Sequence, residues 1–207
     1  MHNSTENIRI KVISDNLIDI EANCWERLVE GAQRSRSAFH LPTIANIDEG
    51  QVNIRTVVLR KALPEERELR FHTDMRSQKW TEIRKNPHVG LVFYHPEDRI
   101  QVRIKGKARL HSNDLITKEA WEKTTLSSRK CYLTDFSPSS QVAEPTSGLA
   151  SHIEHEQFSV QESEVGYVNF GIVSIRVDSI DWLWLHHAGH RRAFFDYQKG
   201  EKSWMIP

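Results

Sequence analysis

The run Arg55-Thr56-Val57-Val58-Leu59-Arg60 places a cation at each end of a short apolar stretch. A second apolar stretch ends in Phe71-His72-Thr73-Asp74. Met75-Arg76-Ser77-Gln78-Lys79 then opens a helical pattern that stops at Asn86-Pro87. The first N–H groups of a helix lack intrahelical acceptors, and the helix dipole favours an anion beside them. Cationic side chains carried by strands to such a helix start suit a phosphate group, for which Arg supplies paired charge-assisted donors. The chemistry these residues fit is the capture of a small phosphorylated ligand.

The elements that must position them follow from periodicity. Ile20, Cys24, Leu28 and Ala32 recur every four residues and predict a helix over 20–34. Strands are predicted over 39–47 and 51–62, joined by a hairpin turn at Asp48-Glu49-Gly50, and again over 69–73. A helix over 77–85 has Ser77 as cap and turns Trp80 and Ile83 inward. Strands follow over 89–94 and 99–110. In the latter, Ile100, Val102, Ile104, Gly106, Ala108 and Leu110 fall on one face and Gln101, Arg103, Lys105, Lys107 and Arg109 on the other. Helical patterning returns over 114–123 with Leu115 and Trp121 as anchors, and strands over 171–185, 192–197 and 203–206 finish the chain. Short hairpins with helices set between them predict a mainly β (α+β) fold, an antiparallel barrel with peripheral helices.

The 207 residues predict one domain over 1–207, with a long loop or lid at about 137–165, where Ser, Pro, Gln and Glu dominate. Formal net charge is zero, which gives no reason to expect nucleic acid as a partner. The charge is uneven, however. Residues 51–110 carry 14 Lys/Arg against 7 Asp/Glu, so the basic excess coincides with the phosphate-type motif. Two cysteines, Cys24 and Cys131, fit a reducing compartment. A polar N-terminus without an apolar h-region, and no bilayer-length apolar run, predict a cytoplasmic protein without a membrane span. Neither a G-x-G-x-x-G turn nor a Walker loop is present, which disfavours the common dinucleotide and nucleoside-triphosphate folds.

In order and spacing, R-T-V-V-L-R at 55–60, F-H-T-D at 71–74, R-S-Q-K at 76–79, N-P at 86–87 and Q-V-R-I-K-G at 101–106 resemble the pyridoxamine 5′-phosphate oxidase family of FMN-binding split barrels. The resemblance covers about residues 20–125 and is closer to the oxidase-related branch than to the vitamin B6 enzyme. It implies a split β-barrel, FMN as cofactor, and a homodimer with FMN at the interface. It also implies that Arg55 and Lys79 bind the FMN phosphate, with Ser77 and Gln78 beside it. His72 and Thr73 would then contact ribityl and phosphate, Thr56, Val57 and Val58 would lie along the flavin, and Gln101 would bond its polar edge. Arg60 matches a substrate-facing lysine of the B6 enzyme. With Arg191 and Arg192 it is a candidate contact for an anionic small-molecule substrate; no catalytic acid or base is singled out. The family's substrate-gripping Tyr, Arg and Ser have no counterpart at 121–129. Its C-terminal Arg-Leu-His-Asp-Arg gives way to His190-Arg191-Arg192-Ala193-Phe194, and a flavin-stacking Trp falls nearest to Trp182 or Trp184. The resemblance therefore implies an FMN-dependent oxidoreductase transferring hydride to flavin. The alternative is a flavin- or haem-binding carrier, sensor or stress module without B6 oxidase activity.

Other constellations point to less. His186-His187-Ala188-Gly189-His190, with His152 and His155, lacks the Cys or carboxylate partners usual at zinc sites, so no metal is expected. Cys131 beside Lys130 is one thiol without a placed base.

Overall fold

The computed structural model describes residues 14–155 and 157–207. Two long antiparallel strands set the frame. β6 (Ile100–His111) and β7 (Phe170–Trp184) pair from Ile100↔Trp184 to His111↔Ile172. β6 buries Ile100, Val102, Ile104 and Gly106 and exposes Arg103, Lys105 and Lys107, the alternation its sequence predicts. Along its other edge β7 serves two partners. Its first half pairs β4 (Glu68–Asp74), and its second half pairs β8 (Arg191–Asp196). Between the halves Lys105↔Ser179 is followed by Gly106↔Val177, so Asp178 is an extra residue. Such a bulge bends a strand and increases its twist, and here the sheet divides around it.

β5 (His88–His95) flanks β6, and β1 (Thr43–Asp48) flanks β5. β2 (Gln51–Thr56) returns on β1 through Glu49 and Gly50, both at positive φ as a two-residue hairpin turn requires. β3 (Leu59–Leu63) borders β4, giving the order β2-β1-β5-β6-β7-β4-β3. Two backbone bonds then tie the β2–β3 junction and the start of β3 to the residues ahead of β1: Val57 N–H donates to Pro42 O at 3.0 Å and Leu59 N–H to His40 O at 2.9 Å. The fold is an antiparallel split β-barrel with peripheral helices; β9 (Glu201–Met205) extends it beyond β8.

Ile20, Cys24, Trp25 and Leu28, the buried face of α1 (Leu17–Gln33), join a core that includes Leu59, Phe71, Phe93, Ile104, Trp182 and Phe195. Each such fully buried side chain contributes about 1.5–3 kcal/mol of apolar transfer energy. Trp121, Tyr132, Phe170 and Ile172 form a second cluster. It seats α3 (Leu115–Glu122), whose start is fixed by a capping box between Asp114 and Thr117.

Four expectations differ in detail. The strand expected over 39–47 begins at Thr43, because bonds from Ser37 N to Arg34 O and His40 N to Ser37 O hold the preceding residues in turns. The strand expected over 51–62 breaks at Val57-Val58, where the chain leaves β1 and joins β4. Leu115 is 79% exposed and anchors nothing; Ile116 and Ala120 pack on Trp121 instead. Ser77 stands at the cap position of α2 (Gln78–Lys85), but its hydroxyl donates to Asp74 O at 2.6 Å and caps no N–H. Over 137–164 the described helix amounts to two single turns, α4 (Ser151–Glu154) and α5 (Val160–Ser163), plus the start of a 3-10 turn (Glu164–Asn169).

Candidate cofactor site

The phosphate-type residues converge where β2 and β4 reach α2. The apolar positions Trp80 and Ile83 seat α2 on the barrel, at 4% and 1% exposure, so the helix start is held rigidly. The N–H groups of Gln78 and Lys79 find no acceptor among the described residues. Lys79 is partly buried and makes no hydrogen bond or ion pair among the described residues; its Nζ lies 5.6 Å from the centroid of the Phe71 ring. Burial, with the Arg55 guanidinium in range, lowers its ammonium to about 8. Asp74, itself held by Arg76, is in electrostatic range but does not pair with Lys79; a half-desolvated cation beside a second cation, without an ion-pair partner, is a candidate anion site.

Its neighbour is differently held. Arg55 donates from Nη2 to Glu82 Oε2 at 3.0 Å and from Nη1 to Asn46 Oδ1. Asn46 and Asn53, opposite each other in the β1–β2 register, also donate to Glu82 at 2.9 and 3.0 Å. The third cation of the motif is committed elsewhere. Arg76 grips Asp74 with Nε at 3.1 Å and Nη2 at 2.7 Å, and donates to Thr134 O at 2.8 Å. Thr73 and Ser77 are buried with their hydroxyls 3.4 Å apart, Val57 is buried, Val58 is half-buried, and Thr56 and Gln78 are exposed.

Arg60 lies on the adjoining surface. It is the extra residue of a bulge in β3, between Leu59↔Phe71 and Lys61↔Arg70. Bulges re-aim side chains, and here Arg60 and Lys61 both line a cavity of about 380 Å³ with Arg70, His72, Glu119 and Lys123. Arg70 is neutralised by Glu68 at 2.5 Å, whereas Arg60, Lys61 and Lys123 have no ion pair among the described residues. His72 packs edge-on against Phe170 at 4.8 Å; burial, and then the nearby Arg60, lowers it to about 4, so it is neutral at pH 7.

The remaining candidates stand at the other end of the frame. Gln101, Leu183 and Arg192 are cross-strand neighbours, as are Ile100, Trp184 and Arg191. His72 pairs with Ile172 in the first half of β7, whereas Gln101 pairs with Leu183 near its end, beyond the Asp178 bulge. Arg192 is bound to Asp181 at 3.0 and 2.8 Å, and Arg191 pairs with Asp15 while lying over the Trp184 ring at 5.5 Å. Trp182 is 2% exposed in the core and cannot stack on a ligand.

Sequence reasoning missed Glu82, Asn46, Asn53 and the cavity residues Lys61 and Lys123. The signal was two asparagines inside predicted strands, a residue type strands disfavour. Among the described residues no group of three or more His, Cys, Asp or Glu is arranged to hold a metal ion, and no helix is long and apolar enough to cross a membrane.

Residues 22–112 match the family model for the pyridoxamine 5′-phosphate oxidase FMN-binding domain. A pyridoxine/pyridoxamine 5′-phosphate oxidase of Leptospira interrogans is 34% identical over 91 residues, covering 44% of this chain and 41% of that protein. One from Haemophilus influenzae is 32% identical over 117 residues, covering 52% of each. The chain thus spans about half the length of the curated relatives it matches. Among solved structures, a pyridoxamine 5′-phosphate oxidase-related, FMN-binding protein of Nostoc punctiforme superposes with a TM-score of 0.71 at 21% identity, covering 89% of this chain and 96% of that one. PhzG of Burkholderia lata, solved in complex with tetrahydrophenazine-1-carboxylic acid, superposes with a TM-score of 0.67 at 13% identity, covering 95% and 98%. Over residues 22–112 the chain is thus similar to the pyridoxamine 5′-phosphate oxidase FMN-binding domain, and its split barrel is the fold of the solved relatives.

Proposed function

We propose that this chain binds FMN and serves as an FMN-dependent oxidoreductase, acting as a homodimer on a small anionic substrate. The observation that carries the reading is Lys79: a partly buried cation without an ion-pair partner among the described residues, on the first turn of α2, within electrostatic range of Arg55. A phosphate monoester supplies the missing charge and accepts from the orphan N–H groups of Gln78 and Lys79. When bound, FMN supplies the hydride-accepting chemistry; the protein holds its phosphate, lines its ring and shapes the pocket beside it.

The place of Gln101 and Arg192 beside the half of β7 away from His72 suits a homodimer. Residues 55–79 would grip the phosphate end of one flavin, while Gln101 of a second copy would reach its polar edge, where an amide can both donate and accept. The outer face of β2, β1 and β5 supports it too, with Ile47, Val52, Ile54 and Tyr94 between 46% and 65% exposed. An antiparallel sheet face that is apolar where it should be wet marks an interaction surface. Arg60, Lys61 and Lys123 give the adjoining cavity the charge to draw in an anionic substrate.

One observation favours a second reading, a flavin-binding module without substrate turnover: Arg191 and Arg192 are tied into ion pairs. Spectroscopy on the purified protein separates the two. FMN added to the protein is expected to bind stoichiometrically and restore a protein-bound flavin absorption band. Anaerobic pyridoxamine 5′-phosphate, or another anionic amine, then bleaches the band if the protein is an oxidoreductase and leaves it if the protein is a module. Protein that ignores FMN sinks both readings.

A further inference from the structure

We propose that Glu82 is a positioning residue for phosphate recognition, acting through Arg55 and resting on the FMN reading above. Glu82 is 1% exposed, and both its oxygens are engaged: Oε2 accepts from Asn46 Nδ2 at 2.9 Å and Arg55 Nη2 at 3.0 Å, Oε1 from Asn53 Nδ2 at 3.0 Å. A buried carboxylate persists only when paired and fully hydrogen-bonded, which this one is. It lies three residues after Lys79 in α2, hence on the same helix face. One helix thus presents a cation to the ligand and, one turn on, the anchor for the other cation.

The anchor fixes how Arg55 is presented. Its Nη1 bonds Asn46 Oδ1 and, at 3.5 Å, Asn53 O, and one Nη2–H goes to Glu82. Of the five N–H donors of a guanidinium, Nε–H and the second Nη2–H keep no acceptor among the described residues, and the side chain is 26% exposed. Glu82 with its two asparagines therefore spends part of the guanidinium on the scaffold and leaves a fixed remainder for a ligand.

Two physical effects of Glu82 oppose each other, and their balance makes the idea testable. As a bare negative charge near the site it repels phosphate, so neutralising it should strengthen FMN binding. As the anchor of Arg55 it orders a flexible side chain before the ligand arrives, so neutralising it should weaken binding. The geometry favours the anchor, because the carboxylate is enclosed by its donors while Arg55 is the exposed partner.

Riboflavin, which lacks the phosphate, supplies the readout that a merely structural role would not move. Glu82→Gln is expected to lower FMN affinity about tenfold, the scale of one charge-assisted bond, with riboflavin affinity changed less than about twofold. In an Arg55→Ala background the same substitution should no longer change the FMN-to-riboflavin ratio, as coupled residues require. Should Glu82→Gln fail to fold, Asn53→Ala removes one donor to Glu82 at a half-buried position and should lower the ratio a few-fold. The inference is overturned if the ratio rises, if it stays constant, or if it falls equally without Arg55. Wild-type protein that does not prefer FMN over riboflavin overturns the phosphate site itself; a wild-type preference that survives Glu82→Gln unchanged overturns only the role of Glu82.

Discussion

Lys79→Ala is expected to weaken FMN binding by roughly 1.5–3 kcal/mol, about 10- to 150-fold, the cost of a lost charge-assisted bond to phosphate. The effect should depend on pH with a defined sign. In the flavin-free protein the Lys79 ammonium titrates near 8, because burial and Arg55 disfavour its charge. Below that pH the lysine is charged and ready for a phosphate dianion, whose second proton leaves near pH 6. Above it, binding must first recharge the lysine, so wild-type affinity should fall as pH rises through about 8. In Lys79→Ala that alkaline decline should vanish. The same shift acts on stability in the opposite sense. The folded value lies below the ordinary 10.5, so the penalty for the buried charge is full below about 8 and fades as the pH rises toward 10.5. Isothermal titration of FMN into both proteins from pH 6.5 to 9.5 checks this, and parallel curves for the two proteins would remove Lys79 from the site.

Gly106→Ala should cost on the order of 3 kcal/mol of stability, the upper range for forcing extra volume into a packed region. A Cβ at this position would overlap the carbonyl oxygen of Arg176 and lie 2.9 Å from Ile175 Cγ2. The oxygen belongs to the backbone of β7 beside the Asp178 bulge, where the strand changes partner from β4 to β8, so it cannot swing away as a side chain would. Gly90→Ala on adjacent β5 is the control. Its Cβ would come no closer than 3.9 Å to Ile104 O, and the change should stay within about 0.5 kcal/mol. Urea midpoints at unchanged slope report both. Equal midpoints for the two variants would mean that β6 and β7 are less closely apposed at Gly106 than described.

How much of this the chain discloses depends on the range of the interaction. β6 was legible because its alternation is local and runs in one register along β5, the extra residue of the β6–β7 pairing falling on β7. The phosphate motif was legible because Lys79 and the helix start that surrounds it are neighbours in sequence. The break at Val57-Val58 was not: both residues favour strands, and only the backbone bonds to His40 and Pro42 pull the chain from one partner to another. Leu115 misled because it has the right type one position early. The Asp114 cap fixes the helix phase so that Ile116 and Ala120, not Leu115, turn inward. Glu82 was invisible as an anchor, since its donors lie 36, 29 and 27 residues away. Arg76 and Lys79 look alike in the motif, yet only contacts with Asp74 and Thr134 reveal which one is taken.

The distance along β7 between His72 and Gln101 has a genetic corollary. If each flavin is clasped by opposite ends of two copies, a copy defective at Lys79 and a copy defective at Gln101 are not equivalent failures. Mixed as subunits, they would rebuild one sound pocket per hybrid pair while concentrating both lesions in the other, so about one pocket in four would recover in a random mixture. Two inactive preparations would then restore each other.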